Sequence, residues 1–114
     1  MLKDFLRGLV KIHILHHAGQ RPVYGLWLIE ELRRHGYRLS PGTLYPTLRG
    51  LEQSGYLTCA RRIVGGKVRK YYLLTSKGRE VLDAVRPKVL ELMDELSAGS
   101  AEFVNEDNDA NSTD

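Results

Sequence analysis

A single cysteine, Cys59, is all the thiol chemistry this chain holds, so an intramolecular disulfide and a thiolate zinc cage are both excluded. Long apolar runs are missing too. Lys3, Asp4, Arg7 and Lys11 interrupt the N-terminal stretch well short of the roughly 18 residues that a membrane span needs. That stretch has no small-residue cleavage site behind an unbroken apolar segment, which argues against a secretory signal. The expectation is a cytoplasmic protein with no membrane partner. No Ser–His–Asp set, catalytic acid pair, phosphate-binding glycine loop or metal box stands out. No catalytic residue, metal or cofactor is therefore expected, and the chain does not read as an enzyme.

Acidic residues are scarce where the bases are dense. The 114 residues carry a formal charge of only +3, but all seventeen Lys and Arg lie between Lys3 and Lys88 against six acids, a net +11. The 26 residues after Lys88 hold eight acids and no base, a net −8. Between residues 33 and 79, eleven bases face Glu52 alone, a net +10. A field of one sign in one window favours a polyanionic partner, nucleic acid above all; the plainer alternative is a basic surface with no partner.

Apolar spacing fixes the elements. Residues 2–17 place Leu2, Phe5, Leu6, Leu9, Val10, Ile12, Ile14 and Leu15 at helical intervals on more than one stripe, a helix that needs two partners. A second helix is predicted from Tyr24 to Arg34, ended by Gly36 in the left-handed region. Ser40 as N-cap and Pro41 at the first helical position start a third, whose Leu44, Leu48 and Leu51 form a core stripe and which Gly55 closes. Pro46 conflicts with that helix: either it begins near Thr43 or its first turn is distorted. The β-formers of 57–64 and 68–75 flank Gly65-Gly66-Lys67, a hairpin signal. A last helix, capped by Thr75 or Ser76, runs to about Ser97, with Leu82, Val85, Val89, Leu92 and Leu96 stepping like a coiled-coil seam.

The fold class is thus mainly α with a small β-hairpin: a winged helix-turn-helix domain over 1–75, a long C-terminal dimerisation helix over 76–97, and a disordered acidic tail over 98–114. In such a fold the third helix lies in a major groove while the hairpin follows the flanking backbone. The candidate DNA-binding residues are Ser40, Gly42, Thr43, Tyr45, Pro46 and Arg49 on the third helix, and Gly66, Lys67, Arg69 and Lys70 on the wing, with Arg61 and Arg62 beside them. The candidate dimer interface is Leu2, Phe5 and Leu9 with Leu82, Val85, Val89, Leu92 and Leu96.

Tyr24-Gly25, Gly42-Thr43-Leu44-Tyr45-Pro46, Leu51-Glu52, Gly55, Arg69-Lys70-Tyr71-Tyr72, Leu74-Thr75 and Lys77-Gly78 resemble, in order, the signature of the PadR family of transcriptional regulators. The resemblance implies a cytoplasmic, homodimeric winged-helix repressor of duplex DNA, dimerising through its C-terminal and N-terminal helices. It also implies release by a small-molecule effector, with a small hydrophobic or aromatic compound as the candidate. The chain departs from the pattern at Leu26-Trp27, where Tyr-Glu is often found, and at Lys67-Val68, where Arg-Pro is usual at the wing tip. Its C-terminal region is short, like the branch of the family with one terminal helix.

Two other readings compete with DNA binding. One is a winged-helix protein-interaction module. The other is a metal- or redox-sensing regulator built on His13, His17 or Cys59. His13 and His17 are spaced i, i+4 with His16 between them, but no carboxylate or cysteine near in sequence completes a ligand set. Partly buried or interface histidines are the plainer reading, a small buried residue is the plainer one for Cys59, and helix-packing surface is the plainer one for Trp27.

Overall fold

The computed structural model describes the backbone of residues 1–106 and the side chains of residues 1–98. Its elements run α1 (Leu2–Ala18), α2 (Gly25–Arg34), α3 (Pro41–Gln53), β1 (Leu57–Val64), β2 (Lys67–Leu74) and α4 (Ser76–Glu106). The expected class, mainly helical with one small hairpin and a long terminal helix, is the one observed. A compact unit extends from Met1 to Leu82, and a second begins at Asp83, inside α4.

The core of the first unit is the sum of the stripes. Val10, Ile14 and Leu15 of α1 meet Leu28, Ile29 and Leu32 of α2, and Leu44, Leu48 and Leu51 of α3 close against them. Leu57 and Tyr72 bring in the base of the hairpin, and Leu82 brings in α4. Ile14, Leu28, Leu32, Leu44 and Leu48 retain no solvent exposure; each such side chain contributes roughly 1.5–3 kcal/mol of burial.

Strands β1 and β2 pair antiparallel from Leu57↔Leu74 to Val64↔Lys67, so Lys67 opens β2 and the turn is Gly65-Gly66 alone. The outer edge of β2 is also covered. The Val23 amide donates to the Tyr72 carbonyl at 3.0 Å and the Tyr72 amide returns to the Val23 carbonyl at 2.7 Å. The chain between α1 and α2 is thereby stitched to the wing.

The helix ends follow the glycines. At Gly55, φ is +85°; its amide donates to the Glu52 carbonyl, and the Tyr56 amide donates to the Leu51 carbonyl, both at 2.9 Å. This paired bonding ends α3 and needs a left-handed residue. Gly36 ends α2 by the same bonds. Pro46 does not delay α3, which starts at Pro41 and continues through it. The proline only removes the N–H that would have met the Gly42 carbonyl, and Thr47 Oγ1 donates to the next carbonyl, Thr43, at 2.8 Å.

α4 outlasts its expected end at Ser97 and continues to Glu106. Gly99 is not followed by a proline, and one helical glycine costs only about 1 kcal/mol, too little to stop a helix by itself. The rest of the expected acidic tail, 107–114, lies outside the described residues. At its other end α4 is anchored by Thr75. The Thr75 hydroxyl donates to the Gly55 carbonyl at 2.6 Å and accepts from the Gly78 amide at 2.9 Å, joining the end of α3 to the start of α4. Gly78 packs against the Tyr56 carbonyl, where a Cβ would collide.

Thr75→Val keeps the side-chain shape and removes both bonds. Loss of the cap and of the partner of a part-buried carbonyl should lower stability by about 1–2 kcal/mol, read as a lower urea midpoint at unchanged slope. An unchanged midpoint would show that this junction carries no strain or support.

Candidate nucleic-acid interface

The Leu44, Leu48 and Leu51 stripe turns one side of α3 into the core and leaves Gly42, Thr43, Pro46 and Arg49 exposed on the other. Ser40 has the extended backbone of an N-cap, with φ −84° and ψ 161°, but its hydroxyl makes no capping bond. It lies 3.5 Å from the Thr43 hydroxyl instead. Pro41 has no N–H, and the Thr43 and Leu44 amides donate to the Ser40 carbonyl at 3.0 and 2.9 Å, so the first turn of α3 presents the Gly42 amide with two hydroxyls beside it. Such a terminus favours phosphate oxygens, since the helix dipole, the Gly42 N–H and the two hydroxyls act together.

Tyr45 is held differently from its neighbours on α3. Its ring lies over Gly25, at the start of α2, where a Cβ would come within 2.6 Å of Cζ. Tyr45 therefore sets how α3 crosses α2 while keeping part of its surface outside. Sequence reasoning assigned it to DNA alone; the missing half of its role was signalled by the glycine in Tyr24-Gly25.

The wing turn has the positive φ pair, Gly65 at +58° and Gly66 at +81°, that a tight type I′ hairpin requires. Register sorts the bases onto two faces. Arg61 and Lys70 are cross-strand partners on one, next to Ile63 and Val68; Arg62 and Arg69 are partners on the other, with Lys67 nearer the tip. Lys67 and Lys70 are exposed. Arg69 is not a free arm: its guanidinium lies 4.1 Å from the Tyr24 ring centroid and is 3.4 Å from the Tyr71 hydroxyl. That hydrogen bond favours the charged form and raises an already high pKa. Arg62 lies over Tyr71 at 5.0 Å, and Tyr71 meets Tyr24 edge-on at 5.4 Å. The Tyr72 phenol points the other way, into the core, where burial pushes its pKa up.

Ile63, 78 % exposed, and Val68, 66 % exposed, form an apolar pair at the wing tip that charge reasoning passed over. Leu26 is exposed, Trp27 is half-buried, and Cys59 is a half-buried cross-strand partner of Tyr72. Of the residues expected at a dimer interface, Leu2 and Phe5 on α1 and Val89, Leu92 and Leu96 on α4 are exposed. Leu9 and Val85 are half-buried. Leu82 is the exception: it is committed to the core of its own chain, 4 % exposed, because α4 packs its first turns there. Leu90 and Met93 add to the exposed apolar surface of α4. Among the described residues, no helix is long and apolar enough to cross a membrane.

Residues 14–84 match the transcriptional regulator PadR-like family. The chain is 47 % identical over 100 residues to the transcriptional regulator Rv3488 of Mycobacterium tuberculosis, covering 88 % of this chain and 94 % of that protein. It superposes on a PadR family regulator from Eggerthella lenta with a TM-score of 0.73 at 34 % identity, over 86 % of this chain and 87 % of that one. A PadR-like regulator from Bacillus cereus gives 0.76 at 28 % identity, over 83 % and 94 % of the two chains.

The contact of Tyr45 with Gly25 predicts a sign change. In a helix, Gly→Ala alone gains up to about 1 kcal/mol, but here the new methyl must expel the ring. Gly25→Ala should destabilise the native chain and be neutral or stabilising in a Tyr45→Ala background. The coupling in that double-mutant cycle should be about 1 kcal/mol or more; additive effects would contradict the contact.

Proposed function

Because the chain belongs to the PadR-like family of transcriptional regulators, we propose that it is a homodimeric, sequence-specific duplex DNA-binding repressor, relieved by a small hydrophobic or aromatic effector. The observation that carries this reading is the joining of two exposed elements through two adjacent residues. Tyr24 stacks under Arg69 of the wing, and the adjacent Gly25 seats Tyr45 of α3. The outward face of α3 and the basic wing are thereby held in fixed relation. A duplex offers a matching pair of surfaces, a major groove for the helix and a sugar-phosphate backbone for the wing.

The roles divide by reach. The Ser40 and Thr43 hydroxyls and the Gly42 amide suit phosphate oxygens and position the helix. Arg49 lies further along the exposed face and is the candidate for bidentate bonding to guanine. Lys67 and Lys70 are free cations for the backbone, whereas Arg69 and Arg62 are steadied by Tyr24 and Tyr71.

Dimerisation is supported by the surface of α4. Leu92, at 48 % exposure, and Leu96, at 60 %, stand with the exposed Leu90 and Met93 on one helix. Apolar surface of that extent on one helix marks an association site. For the effector, the supporting feature is a groove between α1 and α3 lined by Leu6, Val10, Leu39, Thr47, Leu51 and Tyr56. A ligand there would bear directly on the helix that reads DNA.

Binding to a preferred and a scrambled duplex over a salt range tests the division. Lys67→Ala or Lys70→Ala should weaken both duplexes alike and flatten the salt slope by about one unit. Arg49→Ala should cost about 1–3 kcal/mol on the preferred duplex and relax specificity. Wing variants that bind both duplexes as the native chain does would favour a protein-interaction module instead. Leu92→Glu with Leu96→Glu should convert a dimer to monomer in sedimentation; a native chain that is monomeric at micromolar concentration contradicts the dimer.

A further inference from the structure

Three of the chain's four histidines converge between α1 and the end of α2. His13 and His17 project from one side of α1, and His35 closes the C-terminus of α2. A ring nitrogen of each lies within 4.8 Å of one from each of the others. Glu31, one turn before His35 on α2, faces the same space. Its Oε2 is 3.0 Å from His35 Nε2 and 3.7 Å from His17 Nε2, while Arg34 holds the other carboxylate oxygen, Oε1, at 3.0 Å.

Structural packing alone leaves part of this arrangement unexplained. His17 Nε2 is buried and has no hydrogen-bond partner, since 3.7 Å to Glu31 is too long for one. A buried polar nitrogen without a partner is costly, and native structures seldom keep one without a function or a bound species. The surroundings are built to orient the rings. Trp27 meets His17 edge-on at 5.4 Å and Tyr37 meets His13 edge-on at 5.2 Å. The His17 and Glu31 side chains are only 15 % and 11 % exposed.

We propose that His13, His17, His35 and Glu31 form a binding site for one borderline divalent transition metal of the zinc class. Three imidazole nitrogens and one carboxylate oxygen make an N₃O set, which suits such ions and not the oxygen-seeking magnesium or calcium. Ligands about 2.0–2.2 Å from zinc are about 3.0–3.5 Å from one another. The present separations need only side-chain rotation to close, because each donor stands on the surface of a helix or at its end. Two ligands come as an i, i+4 pair from α1 and two as an i, i+4 pair from α2, so the ion would cross-link the helices. Burial lowers the His13 and His17 pKa values; it keeps the rings neutral, as ligands must be, and agrees with the geometry without carrying it. His35 is the last residue before the turn that leads through Gly36 and Tyr37 toward α3, so the ion would also fix the entry to that helix.

The site stands apart from the DNA reading and is tested without DNA. Chelator-treated full-length chain is titrated with zinc chloride by calorimetry, and with cobalt(II) for its visible absorption. The expected result is one ion per chain, a cobalt spectrum of nitrogen-rich coordination, and a rise in unfolding temperature on zinc addition. His35→Gln is the deciding variant because His35 is half exposed and its loss leaves the core intact. It should weaken zinc binding at least tenfold and abolish the cobalt spectrum while the metal-free chain unfolds as before. Glu31→Gln should weaken zinc by at least the roughly tenfold that loss of an outer-shell partner alone costs. No stoichiometric zinc binding would overturn the proposal. So would zinc binding left unchanged by His35→Gln and His13→Gln, which would place the ion elsewhere.

Discussion

The segment Val23-Tyr24-Gly25 is where the architecture is decided. Each residue makes a different contact, and the contacts point to different elements. Val23 exchanges two backbone bonds with Tyr72 of β2, Tyr24 lies under Arg69 at 4.1 Å, and Gly25 leaves room for the Tyr45 ring of α3. A two-stranded hairpin by itself is marginally stable in water. Here its base is tied to the core by Leu57 and Tyr72 and its edge is covered by Val23, so the charged outer half can project without support of its own. A larger residue at Gly25 would move α3 against the wing, which makes the absence of a Cβ a constraint on the whole exposed face.

Charge follows from this frame. Half of the net +10 of residues 33–79 falls on the wing, as Arg61, Arg62, Lys67, Arg69 and Lys70, while α3 holds Arg49 against Glu52; the field is presented mainly by the hairpin beside α3. The aromatic residues beneath the wing do a second job. By stacking Arg69 and Arg62 on Tyr24 and Tyr71, they reduce the freedom of two long side chains before any partner arrives, and less entropy is then lost on binding. Lys67 and Lys70 lack such support and are suited to the looser role of phosphate contact. The exposed apolar pair Ile63 and Val68 lies nearer the tip on the same face as Lys70, opposite Lys67.

What could be read from the sequence was local. Gly36 and Gly55 announce helix ends because the left-handed residue and its two bonds lie within six residues, and Gly65-Gly66 announces the turn for a similar reason. The outward residues of α3 followed from one leucine stripe. Partners distant in sequence were hidden. Arg69 looked like a free arm because Tyr24 is far away in the chain, and Leu82 looked like part of a dimer seam because nothing local shows that α4 begins inside the core. His13 and His17 looked incomplete for the same reason. Glu31 and His35 form a second i, i+4 pair on the next helix, and facing pairs of that kind are the signal that would have found the cluster. The extent of α4 was underestimated because Gly99 and a falling apolar content resemble an end, whereas a helix stops only where a cap or a break makes continuation costly.

In the proposed function, the exposed side of α3 and the wing, repeated by two-fold symmetry, read a duplex. Selection of binding sites from a pool of random duplexes by the full-length chain tests it most directly. The expected result is enrichment of an inverted repeat whose half-site centres lie about one helical turn, about 10 base pairs, or a multiple of it apart. A pool that shows no enrichment over its starting composition, under conditions where the chain is folded and dimeric, would contradict it.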